Sequence, residues 1–89
     1  MTDEQAREKK LIGEVTHFFG KISVAAIKLT EPLKVGDTIS IEGATTNFTQ
    51  TVQSMQIQNK NIDEAQAGDE VGIRIEDKAR EGDRVFLNL

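Results

Sequence analysis

The chain has no cysteine, tryptophan or tyrosine, one proline (Pro32) and one histidine (His17). Without cysteine there is neither a disulfide nor a thiolate metal site. One imidazole alone does not make a multi-histidine metal centre. Four phenylalanines are the only aromatics, so the interior must be assembled mainly from Ile, Val, Leu and Ala. Basic charge is also short: 11 Lys and Arg stand against 15 Asp and Glu, a net charge of -4. That balance argues against a broad electrostatic nucleic-acid surface, which needs clustered cations. The longest apolar run is Val24-Ala25-Ala26-Ile27, far below the length of a membrane span. The opening "MTDEQAREKK" lacks the apolar stretch of a secretory signal. These absences predict a soluble, cytoplasmic protein with no membrane association.

What is present suits one small domain of 89 residues with a single modest core. Residues 1–10 are crowded with charge and carry no apolar stripe, which predicts a flexible N-terminal tail and a domain over 11–89. From Leu11 the pattern has period two, the mark of a half-buried strand. "LIGEVTHFF" sends Val15, His17 and Phe19 to one side and Glu14, Thr16 and Phe18 to the other. After a turn at Gly20-Lys21, "ISVAAIKL" (22–29) is apolar on both faces, as a central strand is. Pro32 then ends the pairing.

Three Gly-Asp doublets follow, in "GDTISI" (36–41), "GDEVGI" (68–73) and "GDRVFL" (82–87). Each reads Gly-Asp-polar-aliphatic-any-aliphatic. Glycine supplies the positive φ of a tight turn, Asp bonds nearby backbone amides, and the alternation behind them launches a strand. The doublets are predicted to be corners rather than a chemical site. The stretch 45–61 is rich in Thr and Gln, with Lys60 its only charge. Strict alternation separates Phe48 and Val52 from Met55 and Ile57, so a bulge near Gln53-Ser54 is expected to turn all four inward. Ile62 and Ala65 are expected to plug the core from the following loop. The sum is an all-β domain of six or seven strands, expected to close as a small antiparallel β-barrel, because closure removes exposed edges.

No catalytic machinery is legible. Asp63, Glu64, Asp69 and Glu70 do not match a calcium loop. His17 has no nucleophile motif around it, since Ser23, Ser40 and Ser54 lie outside any recognisable nucleophile turn. Phosphate-binding loops of both common kinds are missing, and "NKNID" (59–63) only glances at a guanine-reading motif. No enzyme activity, nucleotide, metal or cofactor is therefore expected. A binding surface remains, with Phe18, Lys21 and Lys60 as its candidate residues. An outward Phe18 beside Lys21 would offer a base or peptide a flat partner.

The segments "IGEVTHFFGKISVAAIKLTEPLKVGDTISIEG", "VQSMQI", "IDEAQAGDEVGIRI" and "EGDRVF" together resemble domain two of translation GTPases, such as elongation factor Tu and initiation factor two. "DEAQAGDEVGI" (63–73) is the most specific part. The resemblance implies a translation-protein β-barrel that contacts tRNA or the ribosome, although the loop "FFGKI" (18–22) is short and no GTPase domain is present. "FTQTVQSM" (48–55) also resembles the C-terminal barrel of collagenase-like peptidases. That second likeness implies a protein-interaction module docking on a separate enzyme, with the uncharged 45–59 strand as its natural face. A non-enzymatic translation-type binding module is the leading expectation and the accessory barrel its alternative.

Overall fold

The computed structural model describes residues 9–89, so most of the expected tail lies outside the described residues. Its last two residues, Lys9 and Lys10, already belong to the first strand. Ten strands follow in order: β1 (Lys9–Phe19), β2 (Val24–Leu29), β3 (Leu33–Lys34), β4 (Thr38–Glu42), β5 (Asn47–Thr51), β6 (Met55–Ile57), β7 (Lys60–Ile62), β8 (Glu64–Ala65), β9 (Glu70–Arg74) and β10 (Arg84–Asn88). No helix occurs among the described residues.

The three doublets build three copies of one corner. Gly36, Gly68 and Gly82 have φ of 100°, 96° and 92°. In each copy the Asp amide donates to the carbonyl three residues back: Asp37 to Lys34, Asp69 to Gln66 and Asp83 to Arg80, each at 3.1 Å. This is a type II turn, whose third position needs positive φ. The Asp carboxylate returns the bond by accepting the amide of Lys34 at 2.9 Å, Gln66 at 2.9 Å or Arg80 at 2.8 Å.

Each corner is also stitched to a neighbouring strand. The glycine amides donate to the carbonyls of Val52, Leu29 and Val15, and those residues' own amides donate to the carbonyls of Asp37, Asp69 and Asp83, all at 2.8–2.9 Å. A buried residue precedes every turn: Leu33, Ala65 and Ala79. The strands launched from the corners are β4, β9 and β10. They bury Ile39 and Ile41, Val71 and Ile73, and Val85, with Leu87 packed against the core.

Eight strands form one antiparallel sheet in the order β5-β4-β10-β1-β2-β9-β6-β7, while β3 and β8 pair separately. β2 lies centrally between β1 and β9, as its two apolar faces imply. The hydrogen-bonded ladder has two ends, at β5 and β7, so the expected closed barrel is not formed as a continuous ladder. A side chain links the β5 end to the end of β9 rather than to β7. The buried Gln50 of β5 donates its amide to the Arg74 carbonyl at 3.0 Å and accepts from the Glu76 amide at 2.7 Å. Its carboxamide thus does across this seam what a backbone would do in a ladder.

Two predictions about register need correcting. Phe48, Val52, Met55 and Ile57 do all face the core, but no bulge turns them. β5 ends at Thr51, and β6 starts afresh at Met55 on a different neighbour, β9. The alternation in β1 also breaks. Its pairing with β2 shifts between Val15 and His17, so Thr16 is the extra residue of a bulge. Val15 is buried, His17 is exposed, Phe18 turns in and Phe19 turns out. One inserted residue inverts every side chain after it.

Candidate functional site

The bulge at Thr16 decides where the candidate residues go. Phe18 is half-buried and packs on the core instead of facing outward. Phe19 takes the outward position, 46% exposed, and Ile22 in the turn to β2 is 60% exposed. Lys21 lies in that same exposed turn, and Lys60 is exposed at the start of β7. The structure therefore separates Phe18 from the two lysines: Phe18 lines a groove that neither Lys21 nor Lys60 lines.

The first groove, about 430 Å³, lies on the outer face of β2, β9 and β6. Phe19 and Val24 are cross-strand partners, as are Ala26 and Gly72, and Gly72 and Gln56. The small side chains of Ala26 and Gly72 leave a hollow between the apolar Phe19 and Ile22 on one side and the turn residues Gln58 and Asn59 on the other. Those two carry φ of 52° and 67°, the type I′ geometry that joins two tightly paired strands. Lys21 and Lys60 are next in sequence to the lining residues Ile22 and Asn59 but do not line the groove, whose one charged lining residue is Glu70. Exposed apolar residues gathered around a hollow are the usual form of a protein-contact surface. The one charge in the lining is the Glu70 carboxylate, which does not suit a polyphosphate backbone.

A second groove, about 520 Å³, runs between residues 45–48 and 77–80, with Phe18 and Phe48 at its base. Asp83, which is 5% exposed, lies where the two walls meet. Its Oδ2 accepts the Arg80 amide at 2.8 Å. Its Oδ1 lies so close to Gly43 that a Cβ there would sit 2.0 Å away. Gly43 in turn closes the other wall by donating its amide to the Thr46 carbonyl at 2.7 Å. Sequence reasoning did not find this groove, because its walls are some thirty residues apart and only the folded sheet makes them neighbours.

Two of the side chains considered for catalysis, His17 and Ser40, have hydrogen-bonding neighbours. His17 Nδ1 lies 3.0 Å from Glu81 Oε2, and its ring stacks at a 58° tilt on Phe19, 4.4 Å between centroids. The Ser40 hydroxyl is shared with Thr49 Oγ1 at 2.9 Å and Asn88 Oδ1 at 3.0 Å, tying β4 to both its neighbours. Among the described residues no group of three His, Asp or Glu side chains is placed to hold a metal ion. No helix among them is long and apolar enough to cross a membrane.

The chain is 48% identical over 77 residues to an uncharacterized protease of Methanocaldococcus jannaschii, covering 85% of this chain and 19% of that protein. It is 26% identical over 84 residues to a collagenase of Porphyromonas gingivalis, covering 92% of this chain and 23% of the collagenase. The chain thus spans about a fifth of the length of these relatives. No family model matches it. Two crystal structures of the C-terminal domain of a putative U32 peptidase from Geobacillus thermoleovorans share the fold. Their TM-scores are 0.82 and 0.81, at 14% and 16% identity. The alignments cover 98% and 85% of this chain, and 97% and 96% of those domains. These likenesses agree with the expected kinship to the accessory barrel of collagenase-like peptidases; the translation-factor expectation draws no support from them.

Proposed function

We propose that this chain is a non-catalytic accessory domain of the U32-peptidase type, which docks a protein partner and leaves bond cleavage to that partner. One observation carries the reading. An identity of 48% is concentrated in a segment making up only 19% of a protease, as befits a module added to an enzyme. The fold supports it, because the same architecture stands as the C-terminal domain of a putative U32 peptidase. The groove flanked by Phe19 and Ile22 is the proposed docking face. Burying what remains exposed of those two side chains would supply about 1 kcal/mol each, a contribution to an interface that other contacts must complete. A tRNA or ribosome partner has less to rest on, because the one charged residue lining the groove is the acidic Glu70.

The test is calorimetric titration of this chain into the Methanocaldococcus protease lacking its matching segment. One-to-one binding is expected, weakened at least tenfold by Phe19→Ala with Ile22→Ser, and binding to tRNA is not. Absence of binding to the protease would overturn the docking role. Cleavage of peptides by the isolated chain would overturn its non-catalytic character.

A further inference from the structure

The groove between residues 45–48 and 77–80 is not used by that docking face. Its base is two half-buried phenylalanine rings, Phe18 and Phe48, which offer van der Waals contact to an apolar group. One wall carries Lys78 and Arg80, both exposed and engaged in no ion pair among the described residues. The opposite wall offers the polar side chains of Thr45 and Asn47. Asp77 completes the lining, and its Oδ1 accepts the Lys78 backbone amide at 2.8 Å, leaving Oδ2 for another donor. The volume, about 520 Å³, lies in the range of small-ligand pockets. Asp83 is hydrogen-bonded to one wall and lies against the end of the other.

From these groups we propose that the groove binds the C-terminal carboxylate of a peptide ending in an aliphatic or aromatic residue. Lys78 and Arg80 receive the carboxylate, with Arg matching its two oxygens in bidentate fashion. The terminal side chain lies on Phe18 and Phe48. Asp77 Oδ2 accepts a peptide N–H, a donor that a phosphodiester lacks, and its own charge repels a polyanion. Such carboxyl ends are what peptide-bond hydrolysis releases, so the site would let an accessory domain hold a cleaved strand. This rests on the proposal that the domain's partner is a peptidase.

The experiment is an amide-shift NMR titration of the full chain with acetyl-Ala-Ala-Leu-Phe, as the free acid and as the C-terminal amide. The free acid is expected to shift the amides of residues 45–48 and 77–80, and the amide form to bind at least tenfold more weakly. A Lys78→Ala, Arg80→Ala double variant should lose the difference while keeping a native spectrum, since both side chains are exposed. Equal binding of the two peptides, or no shift at millimolar peptide, would overturn the proposal. So would an oligouridylate that moves these amides where the peptide does not. Protease binding through Phe19 and Ile22 is measured separately, so failure of the carboxylate site is distinguishable from failure of the docking role.

Discussion

Asp83 shows how much a single side chain can fix. It closes its own turn, lies against Gly43, and so joins two loops far apart in sequence. A methyl at Gly43 would meet carboxylate atoms at 2.0 and 2.7 Å, closer than real contacts permit. Gly43→Ala is therefore expected to cost about 1–3 kcal/mol, the range for overpacking a filled site. Asp83→Ala removes the obstacle along with the Arg80 hydrogen bond, and should cost about 1–3 kcal/mol by itself. Their combination should cost clearly less than the sum. Urea unfolding of the four chains checks this as a double-mutant cycle; strict additivity would mean that the two residues do not touch.

At the scale of elements, the corners can be tested one by one. Nothing lies within 4 Å of where a Cβ would be at Gly36, Gly68 or Gly82. Alanine there meets no clash, only the positive φ that L-residues avoid at a cost of about 1–2 kcal/mol. Gly68→Ala should lower stability by that amount without changing the fold, measured by thermal unfolding and an unchanged NMR dispersion. A much larger loss would point to packing rather than backbone strain.

The corners were legible because glycine and aspartate have few other reasons to recur before alternating aliphatics. The bulge at Thr16 was not. Thr16, His17, Phe18 and Phe19 tolerate either register, and only pairing with β2 settles which phenylalanine turns out. That single residue moved Phe18 from the expected surface to the core. The break between β5 and β6 was hidden for a similar reason. A bulge and a change of partner strand leave the same apolar spacing at Phe48, Val52, Met55 and Ile57. The all-β class was therefore readable, whereas the grooves were not, since each is made by residues that only the sheet brings together.

For the molecule as a whole, the seam at Gln50 stands where a closed ladder was expected. Its carboxamide donates to the Arg74 carbonyl and, at a longer 3.5 Å, to that of Thr51, and it accepts from the Glu76 amide. Gln50→Leu keeps the volume close and removes these bonds, leaving those groups unsatisfied at about 1–3 kcal/mol in total, because Glu76 is near solvent. Hydrogen exchange should locate the effect: the Glu76 amide should exchange faster, while amides in the middle of β1 and β10 keep their protection. Uniform loss of protection across the sheet would mean that the seam governs global rather than local stability.

The first and last strands also run side by side, with Lys9 opposite Asn88. Facing residues of such a pair lie only about 5 Å apart. A chain beginning at Lys9 could thus be joined head to tail by a linker of a few residues and keep its shape as a ring. It could equally be cut anew at the Gln58-Asn59 hairpin tip, so that order along the polypeptide is separable from arrangement in space.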